Sequence, residues 1–399
     1  MRVPLLDLTR QHRQVGADVR GRLDQVFESQ QFVLGEEVSR FEEEFRTACG
    51  CGHAVGMSSG TDAQLAILMA MEIGRGDAVV TTPYTFFATA GCVARTGAEP
   101  VFVDIRPDTL HLDPACLLEF LETKCRRSPS GQLLTPRGNH LRAVIPVHLF
   151  GSVCAMEEIA EIASRFGLRV IEDAAQAVGA QYPSRRGPVR AGAIAEAAWF
   201  SFFPTKNLGG AGDGGMAVCA DAGMADRLRS LRNHGMSRTY HHEEVGGNFR
   251  LDAVQAAVLS AKLPRLDQWN AARRNNASLY RKAFEELLDG EIEVPAEPHA
   301  DSGLPDHHTY HQYVVRARLR DALKEHLSAH GIGHSVYYPL PLHLQPCFSA
   351  WGGKPGDLPE AERASRETLA LPIFPELAPE EIRAVAETIA AFYHGGPEA

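Results

Sequence analysis

Long apolar runs are missing from this 399-residue sequence. No stretch approaches the roughly 18 uninterrupted apolar residues of a membrane span, so no membrane contact is expected. An excess of positive charge is missing as well. Lys and Arg number 40 against 50 Asp and Glu, a formal net charge of −10, which argues against a nucleic-acid partner because phosphate backbones need a basic surface. The opening residues Met1–Gln14 lack the apolar core of a secretory signal and meet charge early, so a cytoplasmic protein with reduced thiols is expected. The 8 cysteines are scattered singly apart from Cys49-Gly50-Cys51. His53 lies near that pair, but no second pair completes a ligand set, and no metal site is expected. Repeats and low-complexity tracts are lacking too. With 44% hydrophobic and 23% charged residues, the disordered and fibrous classes fall away.

What remains is a chain long enough for two lobes. Amphipathic helical patterns cover residues 16–30 and 36–48. Strand and helix patterns then alternate, with strands at 78–82, 100–103, 143–147, 168–171 and 197–201, and a helix at 155–166. Such a rhythm predicts an α/β fold with a mostly parallel sheet, whose ligands collect at the carboxyl ends of the strands. Residues 124–140 read as a surface excursion. Pro264 should end or kink a helix that follows Asp252, and the helical pattern resumes to about residue 287. Beyond it lie strands at 313–315 and 335–338, and helices at 320–330, 359–370 and 378–393. The expected division is a large domain over 1–265, with an N-terminal helical segment, and a smaller C-terminal α+β domain over 266–399.

Three strand ends offer complementary chemistry. The apolar run Ala197–Phe200 turns polar and presents a single lysine, Lys206, ahead of Gly209, Gly210, Gly212, Gly214 and Gly215. A lone lysine there is either a solvated loop residue or a reactive amine. The very apolar strand 168–171 closes in Glu172 and Asp173. The turn Ser58-Ser59-Gly60-Thr61 runs straight into an apolar helix, and it suits either a plain N-cap or a phosphate seat. An amine, a buried carboxylate and a phosphate seat together meet the needs of pyridoxal 5′-phosphate. Phe86, at another strand end, is either a core residue or a ring to stack on the cofactor.

Four blocks carry a resemblance. They are Glu172-Asp173-Ala174-Ala175-Gln176, Ser201-Phe202-Phe203-Pro204-Thr205-Lys206-Asn207-Leu208, Gly212-Asp213-Gly214-Gly215 and Gly247-Asn248-Phe249-Arg250-Leu251-Asp252. With Gln255-Ala256-Ala257 they resemble the signature blocks of the nucleotide-sugar aminotransferases, the DegT/StrS type within PLP fold type I of the aspartate aminotransferase superfamily. The likeness runs from Pro4-Leu5-Leu6-Asp7-Leu8 to Leu369-Ala370-Leu371-Pro372. It implies a large sheet domain of the seven-stranded type and a homodimer with shared active sites. Lys206 would link covalently to the cofactor and shuttle the proton. Asp173 would pair with the pyridinium nitrogen, and Gln176 would bond the ring hydroxyl. Gly60, Thr61 and Ser201 would hold the phosphate, Phe86 would lie against the ring, and Asn248 would reach the partner subunit's phosphate.

The implied reaction is amino transfer from L-glutamate to a keto-sugar nucleotide in amino-sugar or polysaccharide biosynthesis. Tyr240-His241-His242 and the stretch Tyr337–Gln345 look more like members acting on 3-keto UDP- or dTDP-sugars than like the 4-keto type, the perosamine synthetase-like alternative. A sugar dehydratase is disfavoured because that class replaces the lysine with histidine. Arg250, Tyr338 and His343 are the candidate substrate residues. For Arg250 a sugar carboxylate, the nucleotide diphosphate and a dimer-interface ion pair all remain open. His307, His308 and His311 read equally as sugar or nucleotide contacts and as surface histidines.

Overall fold

The strands form because short β-branched, alanine-rich and aromatic runs are bounded by polar turns. In the computed structural model, which describes residues 1–395, seven of them build one sheet. They are β1 (His53–Met57), β2 (Asp77–Thr81), β3 (Glu99–Phe102), β4 (His140–Ile145), β5 (Arg169–Asp173), β6 (Ala197–Ser201) and β7 (Gly215–Cys219). Their order across the sheet is β1-β7-β6-β5-β4-β2-β3. Only β7 runs against its neighbours; the pairs β5–β6, β4–β5, β2–β4 and β2–β3 are parallel. The carboxyl ends of six strands therefore share one edge, and the loops after β1, β2, β5 and β6 all open there. Residues 124–140 are not wholly irregular: Arg126–Arg127 and Leu133–Leu134 form a short hairpin that adds to β4.

Neighbouring residues of each strand feed opposite faces. Val80 and Val144 join one apolar core, and Val79 and Ala143 join the other. Helix α1 (Leu8–Ser29) starts earlier than its apolar pattern suggests, because the Asp7 carboxylate accepts the Thr9 N–H and caps it. Helix α2 (Glu36–Cys49) buries Val38, Phe41 and Phe45 against the sheet's first core. Helix α3 (Gly60–Ala70) lies against β6 and β7 and is buried on nearly every side.

The second lobe holds an antiparallel sheet of β8 (Ile292–Glu293), β9 (Tyr313–Ala317) and β10 (Thr368–Leu371). Helix Leu266–Leu287 leads into it from a 3-10 turn at Leu263–Arg265 that contains Pro264. Its core gathers apolar residues from Ala277 to Phe392 and also takes Val3, which bridges to Ile332. Two expectations are corrected here. Residues 335–338 form no strand beyond one bridge, Ser335 to Ala370. The helix expected over 359–370 stops at Glu367, and the next four residues become β10. Thr368–Leu371 is buried throughout and pairs with β9, and an apolar run that short has no period to separate strand from helix. Among the described residues no helix is long and apolar enough to cross a membrane.

Candidate active site

Asp173 ends β5 and is buried. Its Oδ2 accepts the Thr89 hydroxyl at 2.7 Å and its Oδ1 accepts the Ala175 N–H at 3.1 Å. Burial pushes this carboxyl above its usual range, while Thr89, Ala175 and the nearby Lys206 charge pull the other way. Glu172, one residue earlier, faces the other side of the strand and has a different task. Its Oε1 accepts the N–H groups of Ile194 and Ala195 at 2.9 and 2.7 Å, and its Oε2 accepts Gly192 N–H at 2.7 Å. His148 completes the set through Nε2 at 3.0 Å. The His148 Nδ1 takes the Cys154 N–H at 3.3 Å, so Nε2 carries the proton given to Glu172. Glu172 thus shapes the loop ahead of β6, and Asp173 is left for chemistry.

Lys206 follows β6 on a tight loop in which its own N–H donates to Phe203 O at 2.8 Å. A Cβ on Gly209 would stand 2.3 Å from Pro204 O, so only glycine allows that return. Burial lowers the half-buried lysine amine to about 8, against the opposing pull of Asp173. About a tenth of it is therefore neutral and nucleophilic at pH 7, far more than for a free lysine.

The turn offered as a phosphate seat is an N-cap in the structure. Ser59 caps α3 by accepting Asp62 N–H at 3.0 Å, and the Ser58 hydroxyl donates to Asp62 Oδ2 at 2.6 Å. The N–H groups of Gly60 and Thr61 remain at the helix start, where intrahelical partners do not exist. A Cβ on Gly60 would lie 2.8 Å from the Ser201 Cβ, so glycine brings this positive helix end directly against Ser201 at the end of β6.

The other expected residues divide. Gln176 Oε1 accepts Phe150 N–H at 2.7 Å and its amide donates to the Tyr338 hydroxyl at 3.0 Å, so Tyr338 reaches the site from the second lobe. Phe86 is 58% exposed at the same strand edge, an open aromatic face rather than a core residue. Asn248 is exposed and bridges by its backbone to Asn233, whose side chain accepts the Arg250 guanidinium at 2.7 Å. His343, a candidate substrate residue, is buried, with Nε2 held 3.2 Å from Glu362. Its ring packs between elements of the chain. Of the three histidines of equal reading, His308 and His311 are buried and not on the surface. Thr89 was missed, although it lies in the polar stretch after β2, and so was Asn207 beside the lysine. The contact each makes lies far away in sequence.

These residues fit a pyridoxal phosphate: a depressed amine, a buried carboxylate braced by a hydroxyl, and a glycine-walled helix start for an anion. Comparison with known proteins agrees. The model of the DegT/DnrJ/EryC1/StrS aminotransferase family matches residues 14–390. A pleiotropic regulatory protein of Geobacillus stearothermophilus is 45% identical over 98% of this chain and 99% of its own. A UDP-N-acetyl-3-dehydro-alpha-D-glucosamine 3-aminotransferase of Acidithiobacillus ferrooxidans is 39% identical over 98% of each chain. The crystal structure of Streptomyces venezuelae DesV in complex with a ketimine intermediate superposes with a TM-score of 0.87, at 38% identity and 98% coverage of both chains. The chain belongs to the DegT/DnrJ/EryC1/StrS aminotransferase family and is a pyridoxal phosphate-dependent transferase.

Proposed function

We propose that this enzyme moves an amino group from L-glutamate to the 3-keto carbon of a UDP- or dTDP-linked sugar. The observation that carries the reading is the depressed amine of Lys206 in electrostatic reach of buried Asp173 at one sheet edge. The choice of the 3-position draws on the Acidithiobacillus relative, named for a 3-dehydro sugar. When bound, the cofactor supplies an electron sink for a carbanion at the amino-bearing carbon. The chain's residues do the rest. Asp173 would hold a proton at the ring nitrogen, Gly60, Thr61 and Ser201 would hold the phosphate, and Gln176 would meet the ring hydroxyl. Lys206 would hold the cofactor covalently and would serve as the base that moves the proton of the donor's α-carbon. The exposed Asn248 supports a homodimer in which each subunit completes its partner's phosphate site. The second-lobe core, drawn from Ala277 to Phe392 with Val3 added, supports a large domain over 1–265 and a small one over 266–399.

The first test is the absorbance of purified enzyme reconstituted with pyridoxal phosphate. A band at about 410–430 nm is expected of the lysine-linked cofactor and should be absent in Lys206→Ala. A colourless wild type would defeat the reading. An amination panel of 3-keto and 4-keto UDP- and dTDP-sugars with glutamate then reads the position. Turnover confined to 4-keto sugars would replace the 3-amino assignment.

A further inference from the structure

The contacts behind Lys206 form a second layer that the chemistry above does not use. Asn207 is buried, and its side chain is engaged three times. Its Nδ2 donates to Asn270 Oδ1 at 2.7 Å and to Thr309 O at 2.9 Å. Asn270, on helix Leu266–Leu287, gives its own N–H to Val178 O at 3.1 Å, which fixes the orientation of its amide. Both N–H groups of Asn207 are therefore spent, and its oxygen is left to accept. The group that faces it at 3.1 Å is His311 Nδ1, so His311 carries its proton there. The charged side chains facing this ring are Lys206 from the glycine loop and Arg273 from the helix. Arg273 itself donates to Tyr310 O, His311 O and Ile373 O. Burial, followed by those two cations, keeps the imidazole neutral.

We propose that His311 is a positioning residue for Lys206, acting through Asn207. The donated Nδ1–H pins the residue beside the lysine to the second lobe and so holds the amine in its dehydrated place opposite Asp173. The lysine must bond, leave and carry a proton in each half of the reaction, and a tether on the adjacent residue keeps its Cα still while its side chain swings. A neutral donor suits the task, because an imidazolium would put a third cation beside Lys206 and Arg273. The inference rests on reading Lys206 as the reactive lysine.

The test needs no turnover. Cofactor-free enzyme is labelled with acetic anhydride across a pH series, and modification of Lys206 is read by peptide mass spectrometry. His311→Asn keeps a donor near the Nδ1 position, His311→Gln offers one near Nε2, and His311→Leu offers none. Wild type and His311→Asn are expected to titrate near 8. His311→Gln and His311→Leu should titrate about one unit higher, roughly fivefold less free amine at pH 8. Asn207→Ala should match His311→Leu. The assignment is overturned if His311→Leu titrates like wild type, or if His311→Gln restores the wild-type value as well as or better than His311→Asn. The Asn–Gln contrast decides alone should the leucine variant not fold. A wild-type Lys206 titrating as an ordinary lysine would strike the reactive-lysine reading instead, so the two failures are distinguishable.

Discussion

Asp173 is held between opposing demands. Burial favours its neutral form, and the Thr89 hydroxyl, the Ala175 N–H and the Lys206 charge favour the carboxylate that a ring nitrogen needs. Thr89→Val keeps the shape and removes one donor, so it should cost about 1–2 kcal/mol of charge stabilisation, roughly tenfold in kcat. Wild-type kcat in this variant would show the hydroxyl to be idle. Lys206 makes a matching statement about pH. Its native value of about 8 lies below the 10.5 of a free lysine, so between these values the unfolded chain binds more protons than the native one. The lysine's contribution to cofactor-free stability therefore rises with pH across that window, and the penalty of burying its charge is fully present below it. The difference in Tm between wild type and Lys206→Met should follow that slope from pH 7.5 to 10, a window set by the same two values. A flat difference would mean that the amine is solvated. Glu172→Gln replaces an acceptor-only carboxylate with an amide whose NH2 faces backbone donors, and it should lose about 3 kcal/mol of stability, measured by urea unfolding.

Among the elements, α3 shows what was legible in the sequence and what was not. Ser58-Ser59-Gly60-Thr61 before an apolar helix was readable as either cap or phosphate seat, and the structure shows the cap, which consumes the serine side chains and leaves the first N–H groups for an anion. The reason Gly60 must be glycine was hidden, since the clash partner, Ser201, is distant in sequence. Gly60→Ala should raise the Kd for pyridoxal phosphate, by about tenfold for a loss of ~1.4 kcal/mol, in a fluorescence titration, and should lower Tm as the clash with Ser201 pushes the helix start away. Lys206, Asp173 and the sheet alternation were legible because each announces itself locally, by a glycine run, by an apolar strand end and by period. β10 was not, and neither was the burial of His343. Both are decided by which distant strand or carboxylate each segment meets.

Across the whole molecule, the site is assembled from both lobes. Tyr338 reaches Gln176, and Asn207 is gripped by Asn270 and Thr309. Near the amino terminus the two lobes are interlaced again. Val3 lies in the second core, and Arg10 on α1 holds Glu381 through two bonds of 2.7 Å, while the rest of α1 packs on helix Ala253–Lys262. The chain thus leaves the second lobe almost as soon as it starts and returns to it some 260 residues later. For anyone dividing the enzyme into pieces, a cut at residue 265 yields no clean halves. The carboxyl-terminal fragment would expose the strand-like edge at Ile332 that Val3 covers, and the amino-terminal fragment would carry an orphaned apolar tip. Co-expressed fragments 1–265 and 266–399 should therefore associate and co-elute, each aggregating when made alone, and a monodisperse 266–399 fragment would refute this.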